Sequence, residues 1–351
     1  MVRVFSRFWL LVFIFILCLL PFVLASAHEV YVLDDETIAA ALATESLNPF
    51  NAYTGNEYEF YFWGLVSLVV VSTILFASIF HLFEKQLNPL LHFLKRLALP
   101  LVRAATSITL IVFGSYGVLY GPEIPLVEIF GSATGIVQVL LIVLGIAMGL
   151  GLYARLAALA ATLIYLYTLS QFGWYVLSYI NHFAAYFFLF VMGSGMWSLD
   201  LGWGFRKRVP LAVETFIEHL RPLAFPLLRI GFGAAIMIAA VYAKYVHSEL
   251  AYQVVIQYEL TRYLPFEPLF VVLGAFIIEL LAGLMMFLGV AVRWTALFLA
   301  FWLTMGHIFT VEAWWVHLIL YGIALAIFCH GYDRWSLEGR FLRRNGREPV
   351  L

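Results

Sequence analysis

Five residues in the second half of the chain carry groups able to move protons or hold a polar ligand: Lys244, Glu279, His307, Glu312 and His317. Glu279 stands midway along the apolar stretch 268–290, where a carboxyl group costs about 3 kcal/mol on insertion scales. Fourteen Leu, Ile, Val and Phe in that stretch, each worth roughly −0.4 kcal/mol, offset the cost. The segment can insert, yet its acid still needs a partner. Ala275, Glu279 and Gly283 share one helical face at i, i+4 spacing, which places the carboxyl on a small-residue surface against another helix. Two roles fit it: a proton relay or contact to a quinone or other substrate, and a protonated carboxyl hydrogen-bonded to a neighbouring helix.

Lys244 lies near the outer end of its own apolar stretch. It either snorkels to the interface or pairs with Glu279 or Glu312, and such a pair can hold an anionic oxygen or a quinone carbonyl. In the latter picture Glu279 handles protons while Lys244, with His307 or His317, orients a polar head group. His307, Glu312 and His317 surround the turn between the last two apolar stretches, with His247 in the preceding outer loop. Their spacing matches no metal motif, so they stand as candidate ligand contacts, with interfacial hydrogen bonding as the alternative. Haem ligation would need two His on different helices, and His182 with His317 is the pair available. Asn181, His182 and Gln138 are the polar positions of the first half, where helix-to-helix adhesion explains them.

The elements that position these groups follow from composition. Of 351 residues 64% are hydrophobic and 12% charged, and the mean hydropathy is +0.96. A soluble core of that size does not exist, and the same figures exclude a disordered chain. A net charge of −1 argues against nucleic-acid binding. Long apolar runs without period-two alternation call for spanning helices rather than barrel strands. The two cysteines, Cys18 and Cys329, leave no route to thiolate metal sites or to dithiol exchange between Cys pairs.

Arg3 and Arg7, an apolar run from Phe8 to Leu24, and Ala25-Ser26-Ala27 form a signal-peptide pattern over 1–27; an uncleaved anchor is the competing reading. Residues 28–58 are acidic, lack Lys and Arg, and offer a helix start at Asp34-Asp35-Glu36-Thr37. Nine spans are expected beyond it, near 60–82, 104–120, 126–150, 154–173, 175–197, 227–246, 268–290, 294–311 and 314–331. With residue 28 outside, sixteen of the twenty Lys and Arg fall in or beside the cytoplasmic segments. The positive-inside rule then puts the C-terminus in the cytoplasm.

A shift of 138 residues superimposes Gly145, Gly151, Arg155, Gly193 and Trp197-Ser198-Leu199-Asp200 on Gly283, Gly289, Arg293, Gly331 and Trp335-Ser336-Leu337-Glu338. Duplication of a four-helix unit, in parallel orientation, accounts for it. With Arg229 and Lys244 on the first helix of the second unit, Glu279, the glycines and Arg293 on the second, and the closing Trp335 to Glu338, the pattern resembles the DoxX-like family of small membrane proteins. The first unit keeps Arg103, Arg155 and Trp197 to Asp200 but has Val118 and Leu141 where the second has Lys244 and Glu279.

The division expected is a signal peptide (1–27), an acidic outer segment (28–58), a leading helix and linker (59–102), a first unit (103–200), a linker (201–226), a second unit (227–338) and a basic tail (339–351). The resemblance implies an all-α protein of the cytoplasmic membrane that is redox-linked, either quinone-interacting or an accessory subunit to other membrane or redox proteins. Two other classes stay open: a small-molecule or lipid transporter, weakened by the lack of Pro-broken spans at corresponding positions, and a membrane scaffold.

Overall fold

The computed structural model describes residues 32–52, 58–202, 211–310 and 314–342. The expected signal peptide, Glu312 and the tail beyond 342 lie outside the described residues. In order, the elements are α1 (Asp35–Ala43), α2 (Tyr58–Lys95), α3 (Ala98–Tyr116), a small hairpin of β1 (Val118–Leu119) and β2 (Gly121–Pro125), α4 (Leu126–Phe130), α5 (Thr134–Leu150) and α6 (Ala154–Phe172). After a 3-10 segment, Gly173–Tyr179, follow α7 (Ile180–Met192), α8 (Leu199–Gly202), α9 (Leu211–Leu220) and α10 (Ala224–Val241), the last extended by a π turn, Tyr242–Val246. The chain continues through α11 (Ser248–Gln257), α12 (Pro268–Leu288), α13 (Val292–Thr310) and α14 (Leu318–His330).

Six helical stretches among the described residues are long and apolar enough to cross a membrane: Ala98–Tyr116, Leu126–Leu150, Tyr175–Met192, Val213–Val246, Pro268–Leu288 and Val292–Thr310. They mark the chain as an all-α, multi-pass membrane protein, because in lipid a lone segment satisfies its backbone only as helix. Helices also occupy the other three expected intervals, but outside that set. Arg155, Thr162, Ser170 and Gln171 dilute α6, and α14 has only 13 residues.

Several ends differ from expectation for local reasons. α3 begins at Ala98, not near 104, since Pro100 is tolerated in a first turn. It stops at Tyr116 because Gly117 adopts φ +72°, returning its N–H to the Phe113 carbonyl, after which the chain turns into the hairpin. α7 ends at Met192, short of the expected 197, where Gly193 leaves the helix at φ +76°.

Packing pairs the two halves crosswise. α3 lies along α5 and α10 along α12, while α14 packs on α3 and α7 on α10. The last helix of each half thus covers the first helix of the other, and one apolar core runs through both. The crossings are close. A Cβ added at Gly322 would lie 2.1 Å from that of Ala105, and one at Gly231 would lie 2.4 Å from that of Ala184. Gly322→Ala is therefore expected to cost about 1–3 kcal/mol by overpacking, seen as a lower unfolding midpoint in detergent. Gly274→Ala, with nothing within 4 Å of the new methyl group, should leave the midpoint in place or raise it slightly.

At one end of the bundle buried arginines close the helix ends. Arg103 donates to the carbonyls of Ser194, Met196 (3.1 Å) and Trp197 (2.9 Å). Arg229 pairs with Asp333 at 2.8 Å and donates to the Met286 and Phe287 carbonyls of α12. Arg293 serves Phe328 and Cys329 at the end of α14. Asp200 accepts the N–H of Tyr153, as Glu338 accepts that of Val292. The residues that looked like topology markers are here occupied with orphan backbone groups.

The opposite end is built differently. α11, a helix unforeseen in the sequence, packs against α1 through Leu250 and Val254 on Val32, Leu33 and Ala41. Asp34 caps α1 by accepting the Thr37 N–H at 2.9 Å, a bond that holds its carboxyl below the usual carboxylate range. The turn Pro49–Ala52 lies on α12.

Candidate functional site: a cavity between the halves

The apolar face of α12 packs on α10 through Gly283, whose missing side chain admits the backbone of Gly233 and the side chain of Met237. This close approach carries Glu279 toward the far end of α10. There the helix widens into the π turn, a distortion that re-aims side chains and recurs at functional sites. The turn delivers Lys244, whose Nζ lies 3.1 Å from Glu279 Oε2. Trp302 of α13 donates its Nε1–H to Glu279 Oε1 at 2.8 Å. The acid thus holds a cation on one oxygen and an indole on the other.

A cavity of ≈ 100 Å³ opens beside this group, walled by α10, α13 and the start of α14 on one side and by the 3-10 segment and α7 on the other. An engineered cavity of about 150 Å³ takes a benzene molecule, and whole drug-sized ligands need roughly 300–1,000 Å³. At ≈ 100 Å³ the space is smaller than that benzene-binding cavity and far below the whole-ligand range, on the scale of at most a small ring or head group. His182 and His317 both line the cavity.

Glu279 lines it too, and Lys244 does not. The acid keeps 16% of its side-chain surface accessible against 7% for the lysine. Lys244 meets the site through its ion pair with Glu279. His307 is also absent from the wall; its ring lies 5.0 Å from that of His317, which does line the cavity, and 5.9 Å from that of Tyr321. The structure thus brings Lys244 to Glu279 and His307 to His317, while Glu312 lies outside the described residues. No group of three or more His, Cys, Asp or Glu able to hold a metal occurs among the described residues.

Compared with known proteins, the chain matches no family model, no curated protein and no solved structure.

The facing wall comes from the first half. His182 is 2% exposed, lies among the rings of Phe113, Tyr120, Tyr179 and Tyr186, and its Nδ1 has no hydrogen-bond partner among the described residues. Asn181 stands beside it. Tyr175 and Tyr179, also in the wall, both donate their hydroxyls to Glu123 Oε1 on β2, the former at 3.1 Å. Tyr242 of the π turn meets the Tyr175 ring at 5.5 Å between centroids, linking the two walls. Reading the sequence missed Glu123, Trp302 and these tyrosines. Glu123 had a signal, an acid between two prolines in a loop expected to be outside; the tyrosines were hidden among nineteen.

The arrangement accepts hydrogen bonds at the Glu279 carboxylate and offers an imidazole from each half, His182 and His317, with the Asn181 amide, beside apolar alanine and leucine side chains. A flat, mostly apolar molecule with polar atoms at its two edges fits such a space.

Proposed function

We propose that this protein is a DoxX-like membrane protein made of a leading helix and two tandem four-helix units, nine spans in all. In this reading it acts as a redox-linked, quinone-interacting or accessory subunit and holds the quinone-type ring in the cavity between the units. The cytoplasmic membrane is its place, with residue 28 outside and the C-terminus in the cytoplasm. Support for the duplication comes from contacts that recur at equivalent positions: Gly322 on Ala105 with Gly231 on Ala184, Gly151 against Ser198 with Gly289 against Ser336, and the left-handed Tyr153 with the left-handed Ala291. Support for the orientation comes from the basic residues, of which Arg96, Arg334 and Arg340 remain exposed at the end expected inside.

The observation that carries the ring-binding reading is the position of Glu279. A carboxylate paired and indole-bonded at one wall of a ring-sized cavity is pre-organised to meet a polar edge or to pass a proton. Purification in mild detergent, followed by mass spectrometry of retained small molecules, is expected to recover quinone from the wild type. Glu279→Gln should lower occupancy by the hydroxylated form of the ring by about tenfold, the worth of one charge-assisted hydrogen bond. Retention of lipid alone, with no added quinone bound, would end this reading.

One observation favours transport as a second reading: the cavity lies where α7 of one half meets α10 of the other, the junction at which repeat-built transporters place substrate. Substrate-dependent uptake into liposomes without an electron donor would support it.

A further inference from the structure

Within the ring-binding reading, on which this inference rests, the two walls of the cavity differ in what they can do to a ring's edge oxygens. Glu279 in its ion pair is an acceptor only: Lys244 and Trp302 already supply the donors on Oε2 and Oε1, and the lone pairs left over can only receive a hydrogen bond. The Lys244 ammonium, the donor nearest Glu279 on this side besides the Trp302 indole, is not in the wall; the His317 imidazole is, and serves either a hydroxyl or a carbonyl. A carbonyl oxygen placed at Glu279 would face a carboxylate with no hydrogen between them. A hydroxyl group would donate to it.

His182, from the other half, lines the same cavity. It is 2% exposed, held among four aromatic rings, and its Nδ1 lacks a partner among the described residues. A buried imidazole with an unmet polar atom carries a standing cost that a ligand oxygen or water at the cavity relieves. Neutral imidazole has one donor and one acceptor nitrogen, and Asn181 adds an amide, so this wall serves either a hydroxyl or a carbonyl. Selectivity therefore resides with Glu279, and general affinity with His182.

We infer that the cavity selects the hydroxylated, reduced form of a ring over its carbonyl form, with Glu279 accepting the ring O–H from one side and His182 of the other half holding the opposite oxygen. The ligand class is a phenol or hydroquinone head group. The inference concerns binding of the reduced form and requires no bond to be made or broken.

The test uses the full-length protein in mild detergent under argon and measures binding by isothermal titration calorimetry. The probes are a short-chain 1,4-hydroquinone and its benzoquinone, with 4-ethylphenol and 4-ethylanisole as a pair that cannot change oxidation state. Wild type is expected to bind the hydroquinone, and the phenol over its methyl ether, about tenfold more tightly, the scale of one hydrogen bond to a charged group. Glu279→Gln, whose amide both donates and accepts, should bring each pair within about threefold. His182→Phe should weaken both members of each pair by roughly tenfold without changing their ratio. Because Glu279→Gln can perturb folding, the wild-type ratios and His182→Phe carry the test by themselves, and size-exclusion profiles identify misfolded variants. Equal or tighter binding of the carbonyl and ether forms by wild type would overturn the inference and leave the ring-binding reading standing, as would unchanged binding in His182→Phe. Failure of every ring probe to bind would overturn both.

Discussion

Replacing Arg229 by methionine is expected to lower stability by about 3–5 kcal/mol, the usual cost of breaking a buried ion pair from one side. Arg229 and Asp333 keep 2% and 5% of their side-chain surface accessible, so the aspartate left behind has almost no water to turn to. The same substitution also strips donors from the Met286 and Phe287 carbonyls, two orphans at the end of α12. Arg103→Met, the matching change in the first half, should cost less, about 1–3 kcal/mol. Arg103 binds three carbonyls, and among the described residues only Asp200 acts on it electrostatically, without an ion pair within 4.0 Å, so its loss leaves mainly dipoles unsatisfied. Denaturation in a mixed-micelle SDS titration would compare the two directly. A larger loss from Arg103→Met would show that the carbonyls, not the ion pair, dominate at these positions. Arg229→Met with Asp333→Asn should recover part of the loss, since the double change removes the stranded charge.

What the sequence made legible follows the range of the interactions. Helix placement was readable because apolar length is a local property, and the ends that moved did so at residues with local reasons, Gly117 and Gly193. Glu279 was readable because a mid-span acid is costly in any setting, and Lys244 because it broke the charge bias; that each needed a partner followed, and here the two meet. The residues joining the walls were not readable in the same way. Glu123 and Tyr179 are 56 positions apart, and the strap from Ser46 to Phe50 touches Val246, Tyr245 and Phe276 across about two hundred. No periodicity encodes such pairings. α11 was missed because its ten residues are too short and too polar to register as a span. The π turn was missed because one extra residue in a helical turn leaves no pattern in composition.

The second large effect is expected at Lys244 and Glu279, where energetics and function meet. A lone acid at the centre of α12 costs roughly 2.5–3.5 kcal/mol on insertion scales, Lys244 near the end of its helix costs less, and pairing at 3.1 Å offsets much of both. Lys244→Met and Glu279→Gln should each destabilise by about 2–4 kcal/mol, since either leaves a charge behind in a largely buried place. The double variant should lose less than the sum, with a coupling of about 1–3 kcal/mol. Additive losses would mean that the two groups stand near each other without interacting. The strap gives this pair a further dependence: Ser46 donates to the Val246 carbonyl at 2.5 Å, Ser248 donates to that of Leu47, and Phe50 packs edge-on against Tyr245 and Phe276. Those contacts hold the turn that carries Lys244 on one side and the helix that carries Glu279 on the other. The strap from Ser46 to Phe50 is thus part of the clamp that keeps Lys244 beside Glu279.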